Sequence, residues 1–169
     1  MMKTALVVLL LVHTVYSAQQ ALTRNACSSA INRARATLAE TAHIAKMNEL
    51  VYNKYLEKRI YEQLALTNGC PDPMVVAQED LHINLNVTNS DSESLLAVLS
   101  GSGSKMMACV KTRCMETGEE FVRLVVDYSD TPALEGAPGT QCPTDGMANS
   151  EGLCARKKYS RKIWAELLG

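Results

Sequence analysis

The sequence predicts an α+β domain that is exported from the cell and cross-linked by disulfides. Apolar residues recur at helical spacing before residue 70, and they alternate as in strands after residue 80. All six cysteines follow the N-terminal apolar segment, and an even number in an exported chain favours disulfides over thiols. Helices followed by strands are typical of the α+β class.

Residues 1–17 are predicted to form a secretory signal peptide. Lys3 precedes a short apolar run, and small residues follow at Ser17 and Ala18, where a signal peptidase would cleave. The run is shorter than the roughly 20 apolar residues that span a bilayer, so we expect no membrane span. Residues 18–154 are long enough for one domain with its own core, and a basic tail follows over residues 155–169.

Two amphipathic helices are expected in the first half of the domain. The first begins near Ser29, with Ser28 or Ser29 as its N-cap and apolar residues at three- and four-residue spacing. The second carries a four-residue ladder of apolar side chains, which are Tyr52, Leu56, Ile60 and Leu64. Asn68 and Gly69 supply a left-handed stop after this helix.

A strand is expected over residues 81–87, because apolar and polar side chains alternate there. The apolar side chains are Ile83, Leu85 and Val87. The polar side chains are His82, Asn84 and Asn86. We expect the polar face to be wet, and the Asn-Val-Thr sequon on it predicts a glycan on Asn86.

A short helix and a hairpin are expected next along the chain. Residues 90–99 combine a cap-like aspartate with an apolar run, and a glycine- and serine-rich turn follows them. Residues 106–112 and 119–128 alternate as two strands around a turn, which predicts an antiparallel hairpin.

The six cysteines are predicted to form three disulfides and to leave no free thiol. They are Cys27, Cys70, Cys109, Cys114, Cys142 and Cys154. Six cysteines allow 15 pairings, and the sequence alone fixes none of them. Cys109 and Cys114 lie on or beside one strand, which separates their Cα atoms beyond the ~7 Å limit for a disulfide. Each should reach a different partner, with Cys70, Cys142 and Cys154 as candidates.

Composition argues against several classes of function. The chain has 17 basic and 18 acidic residues and a net charge of −1, which disfavours general nucleic-acid binding. Basic residues crowd at 156–162, and this tail is either a solvated terminus or a contact for an anionic, heparin-like surface. The motifs of zinc proteases, α/β-hydrolases and P-loop NTPases do not occur. We therefore predict no catalytic residue, metal or cofactor.

Two stretches in the helical half match motifs of a known family. Residues 31–35 keep Asn32 and Arg35 of an H-N-x-x-R motif, with Ile31 in place of the histidine. Residues 45–70 resemble an M-x-x-L-x-Y/W-x-x-x-L-E helix that runs to a cysteine.

Two further stretches in the second half extend this match. Residues 108–114 match a G-C-A-V-K-x-C strand, and residues 124–129 resemble V-V-C-N-Y-S with Val126 in place of the cysteine. A cysteine-rich tail then ends in G-L-C at Cys154. In this order the four stretches resemble the CAP superfamily, the SCP/TAPS group, and especially the activation-associated secreted proteins of nematodes.

The resemblance implies an abbreviated α-β-α sandwich with an antiparallel sheet. Family members carry a cleft with two histidines and two glutamates, and only Glu79 in the segment QEDL could stand for one of these. The segment between Val87 and Met106 is too short for the missing helix and strand. Glu79 is therefore a vestigial cleft candidate, and we expect a solvated loop carboxylate there rather than a ligand. We expect His82 to be exposed and His43 to be a surface or capping residue.

The function that the resemblance implies is binding rather than catalysis. We expect a secreted, non-catalytic CAP-type protein, released as an excretory-secretory effector, that binds an unknown protein or lipid outside the cell. Two alternatives are an unrelated disulfide-stabilised inhibitor or signalling factor, and a hydrolase that uses the CAP cleft. Shortening should also uncover an apolar surface on the second helix and on residues 83–87, which we expect to contact the partner.

Overall fold

The structure is a computed structural model that describes residues 23–71, 75–78, 80–87, 96 and 98–157. Several predicted features lie outside the described residues. They are the signal peptide, Glu79, most of the short helix at 90–99 and the tail beyond residue 157.

Helix α1 (Arg24–Thr41) begins earlier than the sequence predicted. Its N-cap is Thr23, whose Oγ1 accepts a hydrogen bond of 3.1 Å from the Ala26 N–H. The predicted cap at Ser28 or Ser29 is therefore wrong. The side chains of the first turn are exposed, so the spacing of buried apolar residues could not show that the helix begins there.

Helix α2 (Lys54–Ala65) carries three of the four predicted ladder residues, whereas Tyr52, the first of them, lies on a short strand before the helix. Asn53 caps it, with its Oδ1 accepting a 3.0 Å hydrogen bond from the Tyr55 N–H. The φ angles of Asn68 and Gly69 are 50° and 76°, which confirms the left-handed stop. The buried side chains of the helix are Leu56, Ile60 and Leu64.

Seven strands form two sheets in the described part of the chain. They are β1 (Val51–Tyr52), β2 (Val75–Gln78), β3 (Leu81–Asn84), β4 (Met106–Arg113), β5 (Glu120–Asp127), β6 (Gly146–Ala148) and β7 (Cys154–Arg156). The larger sheet has the order β1-β4-β5-β3-β2, in which only the β1–β4 pair is parallel. The β4–β5 pair confirms the predicted hairpin, and β6 and β7 form a second, antiparallel pair.

A helix covers each face of the larger sheet. Met107 and Cys109 of β4 belong to a core shared with α1, whereas Ala108 and Val110 belong to a core shared with α2. Alternate residues of one strand therefore point into two different cores, as a pleated strand requires. This arrangement confirms the predicted α-β-α sandwich.

The polar face of β3 is not wet, which corrects the sequence prediction. Asn84 is fully buried, and Asn86 beyond the strand is 4% exposed. Asn84 pairs with Leu124, whose side chain lies in the core under α1. Alternation distinguished the two faces of the strand but could not show that both faces are covered.

The apolar face that we expected to be uncovered at residues 83–87 is buried, whereas Tyr55 and Tyr61 of α2 are exposed. The α2 ladder packs against Leu81, Ile83 and Leu85, and Val87 lies buried in the core shared with α1. The second helix fills the place of the predicted docking surface, so that prediction is wrong.

The β6–β7 hairpin is attached to the sandwich by backbone and side chains. The Cys154 N–H donates to the Met47 carbonyl at 2.8 Å, and the Glu49 N–H donates to the Cys154 carbonyl at 3.0 Å. A third small core joins the hairpin to the end of α1, formed by Ala39, Ile44, Met47 and Leu153.

Candidate functional site

Three disulfides join the six cysteines and cross-link separate elements of the sandwich. They are Cys27–Cys109, Cys70–Cys114 and Cys142–Cys154, with Cα–Cα distances of 6.6, 4.4 and 5.3 Å. All six cysteines are paired, as predicted. Cys109 and Cys114 reach different partners, which confirms their separation along one strand. Cys27 was not among the candidate partners, because its position on α1 showed nothing about its distance from β4.

Asn32 closes the outer edge of the sheet beside β1. Its Nδ2 donates to the Leu50 carbonyl at 2.9 Å, and its Oδ1 accepts from the Leu50 N–H at 2.8 Å. The side chain thus pairs with the backbone as a neighbouring strand would, and it protects an exposed sheet edge. The asparagine of the family-like motif has a structural role here.

Arg35, the second residue of that motif, is fully buried and binds only carbonyl oxygens among its hydrogen-bond partners. Its guanidinium donates to Asn48 at 3.0 and 3.2 Å, to Leu99 at 2.6 Å and to Gly101 at 3.0 Å. Burial lowers the pKa of Arg35 to about 10, and the negative charge of Asp127 opposes part of that shift. Arg35 remains charged at neutral pH and holds the loop before β4 against the sandwich.

A polar cleft of about 190 Å³ opens beside this loop. The start of β3, the end of β5 and the loop before β4 meet there. The cleft is lined by His82, Val98, Ser100, Gly101, Ser104, Val126, Asp127, Tyr128, Ser129, Asp130 and Thr131. We call it the end cleft, and it is the candidate binding site in the described part of the chain.

The carboxylate of Asp127 organises the end cleft. Its Oδ1 accepts backbone N–H bonds from Lys105 at 2.8 Å and Met106 at 2.7 Å, and its Oδ2 accepts from Lys105 at 3.1 Å. The Ser104 Oγ donates to the Asp127 carbonyl at 2.6 Å. Asp127 therefore fixes the start of β4 against the end of β5.

His82 and Tyr128 form an aromatic pair in the end cleft. Their ring centroids are 4.8 Å apart and the rings are tilted by 35°. The Tyr128 N–H donates to the Asp80 carbonyl at 2.7 Å, which ties the pair to the start of β3. His82 is half-buried rather than exposed, so the sequence prediction for it is wrong. Alternation placed its side chain on the correct face but could not predict the loop that packs beside it.

His43 lies where the sequence placed it, at the surface beyond α1. Its φ of 53° ends the helix in the left-handed region, and its carbonyl accepts a 2.8 Å hydrogen bond from the Gly136 N–H. The residue is exposed and does not line the end cleft.

The predicted vestigial residue Glu79 lies outside the described residues, so its role stays a prediction. Within the described ranges, no group of three or more His, Cys, Asp or Glu side chains is placed to hold a metal ion. The predicted glycan on Asn86 is likewise untested. Its attachment to the folded chain would require this buried side chain to leave the core.

Tyr52, Glu57 and Arg24 form a second polar cluster, where α1 and α2 meet. The Tyr52 hydroxyl lies 2.7 Å from Glu57 Oε1 and 2.8 Å from the Cys109 carbonyl oxygen, and its single proton donates to one of these two acceptors at a time. Arg24 binds both oxygens of Glu57 at 2.7 and 3.0 Å, and this contact lowers the pKa of Glu57. Burial, followed by the bond to Glu57, raises the pKa of Tyr52 to about 12.

Tyr52→Phe should change the alkaline stability of the protein. A folded pKa above the ordinary value near 10 gives stability that is complete below pH 10 and is lost as pH rises towards 12. The variant should lack this loss, and phenolate absorbance should show one late-titrating tyrosine only in the wild type. Tyr55→Phe, at an exposed position, is the control. Equal alkaline midpoints for the two variants would contradict the assignment.

Sequence reasoning missed most of the end cleft. Tyr128 and Asp130 were noted only as the end of a strand and the start of a loop, and Ser100 and Ser104 only as a flexible turn. The hairpin topology could have indicated the cleft. In an antiparallel hairpin, the polar residues that follow the second strand lie beside those that precede the first strand.

Comparison with known proteins supports the fold. No protein-family model and no curated protein matches the chain. Among solved structures, hookworm platelet inhibitor superposes with a TM-score of 0.59 at 15% sequence identity, over 84% of this chain and 96% of that chain.

The superposition shows that the chain shares its α-β-α sandwich fold with this solved structure, here cross-linked by three disulfides. At this identity the similarity concerns the fold alone. No helix in the described part of the chain is long and apolar enough to cross a membrane.

Proposed function

We propose that this chain is a secreted, non-catalytic binding protein of the CAP type that acts on a protein partner outside the cell. Three disulfides favour an oxidising compartment, and the predicted signal peptide agrees with export. The fold is shared with a protein whose name describes platelet inhibition, an extracellular activity.

The observation that carries the proposal is the use of the end-cleft side chains as structural elements. Asp127 accepts three backbone N–H bonds, and the Ser104 hydroxyl donates to a backbone carbonyl. A nucleophilic serine would instead contact a general base. Both groups hold the loop before β4, which supports a structural rather than a catalytic use of Asp127 and Ser104.

The size of the end cleft favours a protein over a lipid as the main partner. Its volume of about 190 Å³ is below the ~300–1,000 Å³ typical of sites that enclose drug-sized ligands. In the described part of the chain, apolar side chains pack the cores on both sides of the sheet, which favours a partner at the surface over an acyl chain in the interior. A protein partner would contact the outer surface.

Secretion of the full chain from a eukaryotic host, followed by hydrolysis and stability assays, tests the proposal. We expect no cleavage of casein or short esters with or without zinc. We also expect zinc and chelator to shift the Tm by less than about 1 °C, because a metal bound only by the folded state would raise it. Platelet aggregation is the first screen for an extracellular target.

Matched variants separate the alternatives. Zinc-dependent cleavage that His82→Ala or Glu79→Ala abolishes, and that His43→Ala leaves intact, would return the protein to the hydrolase class. Retention of the full chain inside the secreting cell would contradict export.

A further inference from the structure

Two serine hydroxyls of the end cleft use their donors within the protein. Ser104 Oγ donates to the Asp127 carbonyl at 2.6 Å, and Ser129 Oγ donates to Thr131 Oγ1 at 2.9 Å. A hydroxyl has one donor and two acceptor lone pairs, so these groups use their donors within the protein and keep acceptor capacity. These two hydroxyls can therefore accept a hydrogen bond from a ligand but have no donor left for one.

The charged side chains that line the cleft are both acidic. Asp127 accepts three N–H bonds, which leaves room at a carboxylate with about four lone-pair sites. Arg35 lies buried nearby and offsets part of the Asp127 charge. Asp130 is exposed, and among the described residues no salt bridge pairs its carboxylate with a basic side chain. This charge attracts a cation.

The aromatic pair adds a preference for an organic cation. Tyr128 is 50% exposed, and its ring lies 4.8 Å from that of His82 between centroids. A cation within about 6 Å of an aromatic face is attracted by the ring quadrupole. Val98 and Val126 also line the cleft and give methyl groups an apolar contact, which a hydrated metal ion would not use.

We propose that the end cleft binds a compact substituted ammonium ion of about the size of choline. The volume of about 190 Å³ is below the ~300–1,000 Å³ typical of sites for drug-sized ligands, which favours a small ligand. The inference goes beyond the proposed function and does not depend on it, because a protein partner would contact the outer surface.

Titration of the secreted protein with choline, followed by NMR of the aromatic side chains, tests the inference. The matched probe is 3,3-dimethylbutan-1-ol, in which carbon replaces the ammonium nitrogen. We expect choline to shift the His82 and Tyr128 ring resonances with a millimolar Kd. The neutral alcohol should bind at least about threefold more weakly, since it lacks the cation–aromatic attraction.

Variants locate the binding groups. Asp130→Asn and Tyr128→Leu should each weaken choline binding about three- to fivefold, the range expected for an exposed charge or cation–aromatic contact. Tyr128→Phe keeps the ring and should weaken it less than Tyr128→Leu. Asp145→Asn removes an exposed carboxylate outside the cleft and should leave the Kd unchanged.

Phosphatidylcholine vesicles distinguish a free ligand from a lipid headgroup. The ligand would be the lipid headgroup if the protein co-sediments with these vesicles but not with phosphatidylglycerol vesicles, and if Asp130→Asn weakens that co-sedimentation. Binding of choline without co-sedimentation would assign the free ion. Absence of ring shifts, equal affinity for the neutral alcohol, or full affinity in both Asp130→Asn and Tyr128→Leu would overturn the inference.

Discussion

Arg35→Met is expected to lower the free energy of unfolding by about 3–5 kcal/mol. Methionine fills much of the same space but donates no hydrogen bond. The buried carbonyls of Asn48 and Leu99 would lose their guanidinium donors, while Gly101 would keep the Ser104 N–H at 3.1 Å. Each buried polar group left unsatisfied costs about 1–3 kcal/mol. Urea unfolding followed by circular dichroism measures the change.

Arg33→Met is the matched control for this prediction. Arg33 lies on the same helix with an exposed side chain, so its replacement should change the unfolding free energy by less than about 0.5 kcal/mol. Arg35→Lys keeps the charge but reaches fewer carbonyls and should fall between the two. Equal unfolding midpoints for Arg35→Met and Arg33→Met would show that the carbonyl contacts add no stability.

The order of elements could be predicted from the sequence because local chemistry determines it. The α2 ladder, the stop at Asn68 and Gly69, and the β4–β5 hairpin depend on residues that are close in sequence. The even cysteine count predicted three disulfides for the same reason, since it required no distance between elements. The partner of Cys27 depended on a distance across the core and could not be predicted.

Burial of polar residues could not be predicted from alternation. Asn84 follows a pattern of apolar and polar side chains that suits a half-wet strand, yet the layer containing α1 covers its face. Arg123, on β5, is likewise fully buried and donates to the carbonyls of Leu85 and Gly69 and to the Thr112 hydroxyl. Burial lowers the pKa of Arg123 to about 10. A charged residue in a strand pattern usually indicates solvent, and only the tertiary contacts show otherwise.

The lining of the end cleft could not be predicted from the sequence for a different reason. Its groups come from the start of β3, the end of β5 and the loop before β4, and they meet only when the sheet order is known. The family-like residues Asn32 and Arg35 were visible in the sequence, but their contacts stabilise the scaffold around the cleft. Motif matching thus identified the residues that hold the site rather than those that line it.

Removal of the Cys27–Cys109 disulfide, by replacing both residues with alanine, should be the most destabilising of the disulfide deletions. It joins residues 82 positions apart, and closing a loop of that length restricts the unfolded chain by about 4.5 kcal/mol in the chain-entropy model. Both cysteines also pack in the core between α1 and the sheet, so their truncation adds a cavity cost of about 1 kcal/mol or more. Thermal unfolding of the secreted double variant measures the loss.

Removal of the Cys142–Cys154 disulfide provides the comparison that separates chain entropy from local packing. Its partners are only 12 positions apart, which predicts a loss of about 3 kcal/mol in the same model. Cys154 is anchored by backbone bonds to Met47 and Glu49, so the hairpin has contacts that can persist without the cross-link. The Cys27–Cys109 variant should therefore have the lower Tm of the two. If the Cys142–Cys154 variant had the lower Tm, the short cross-link in the β6–β7 hairpin would contribute more stability than the long-range cross-link between α1 and β4.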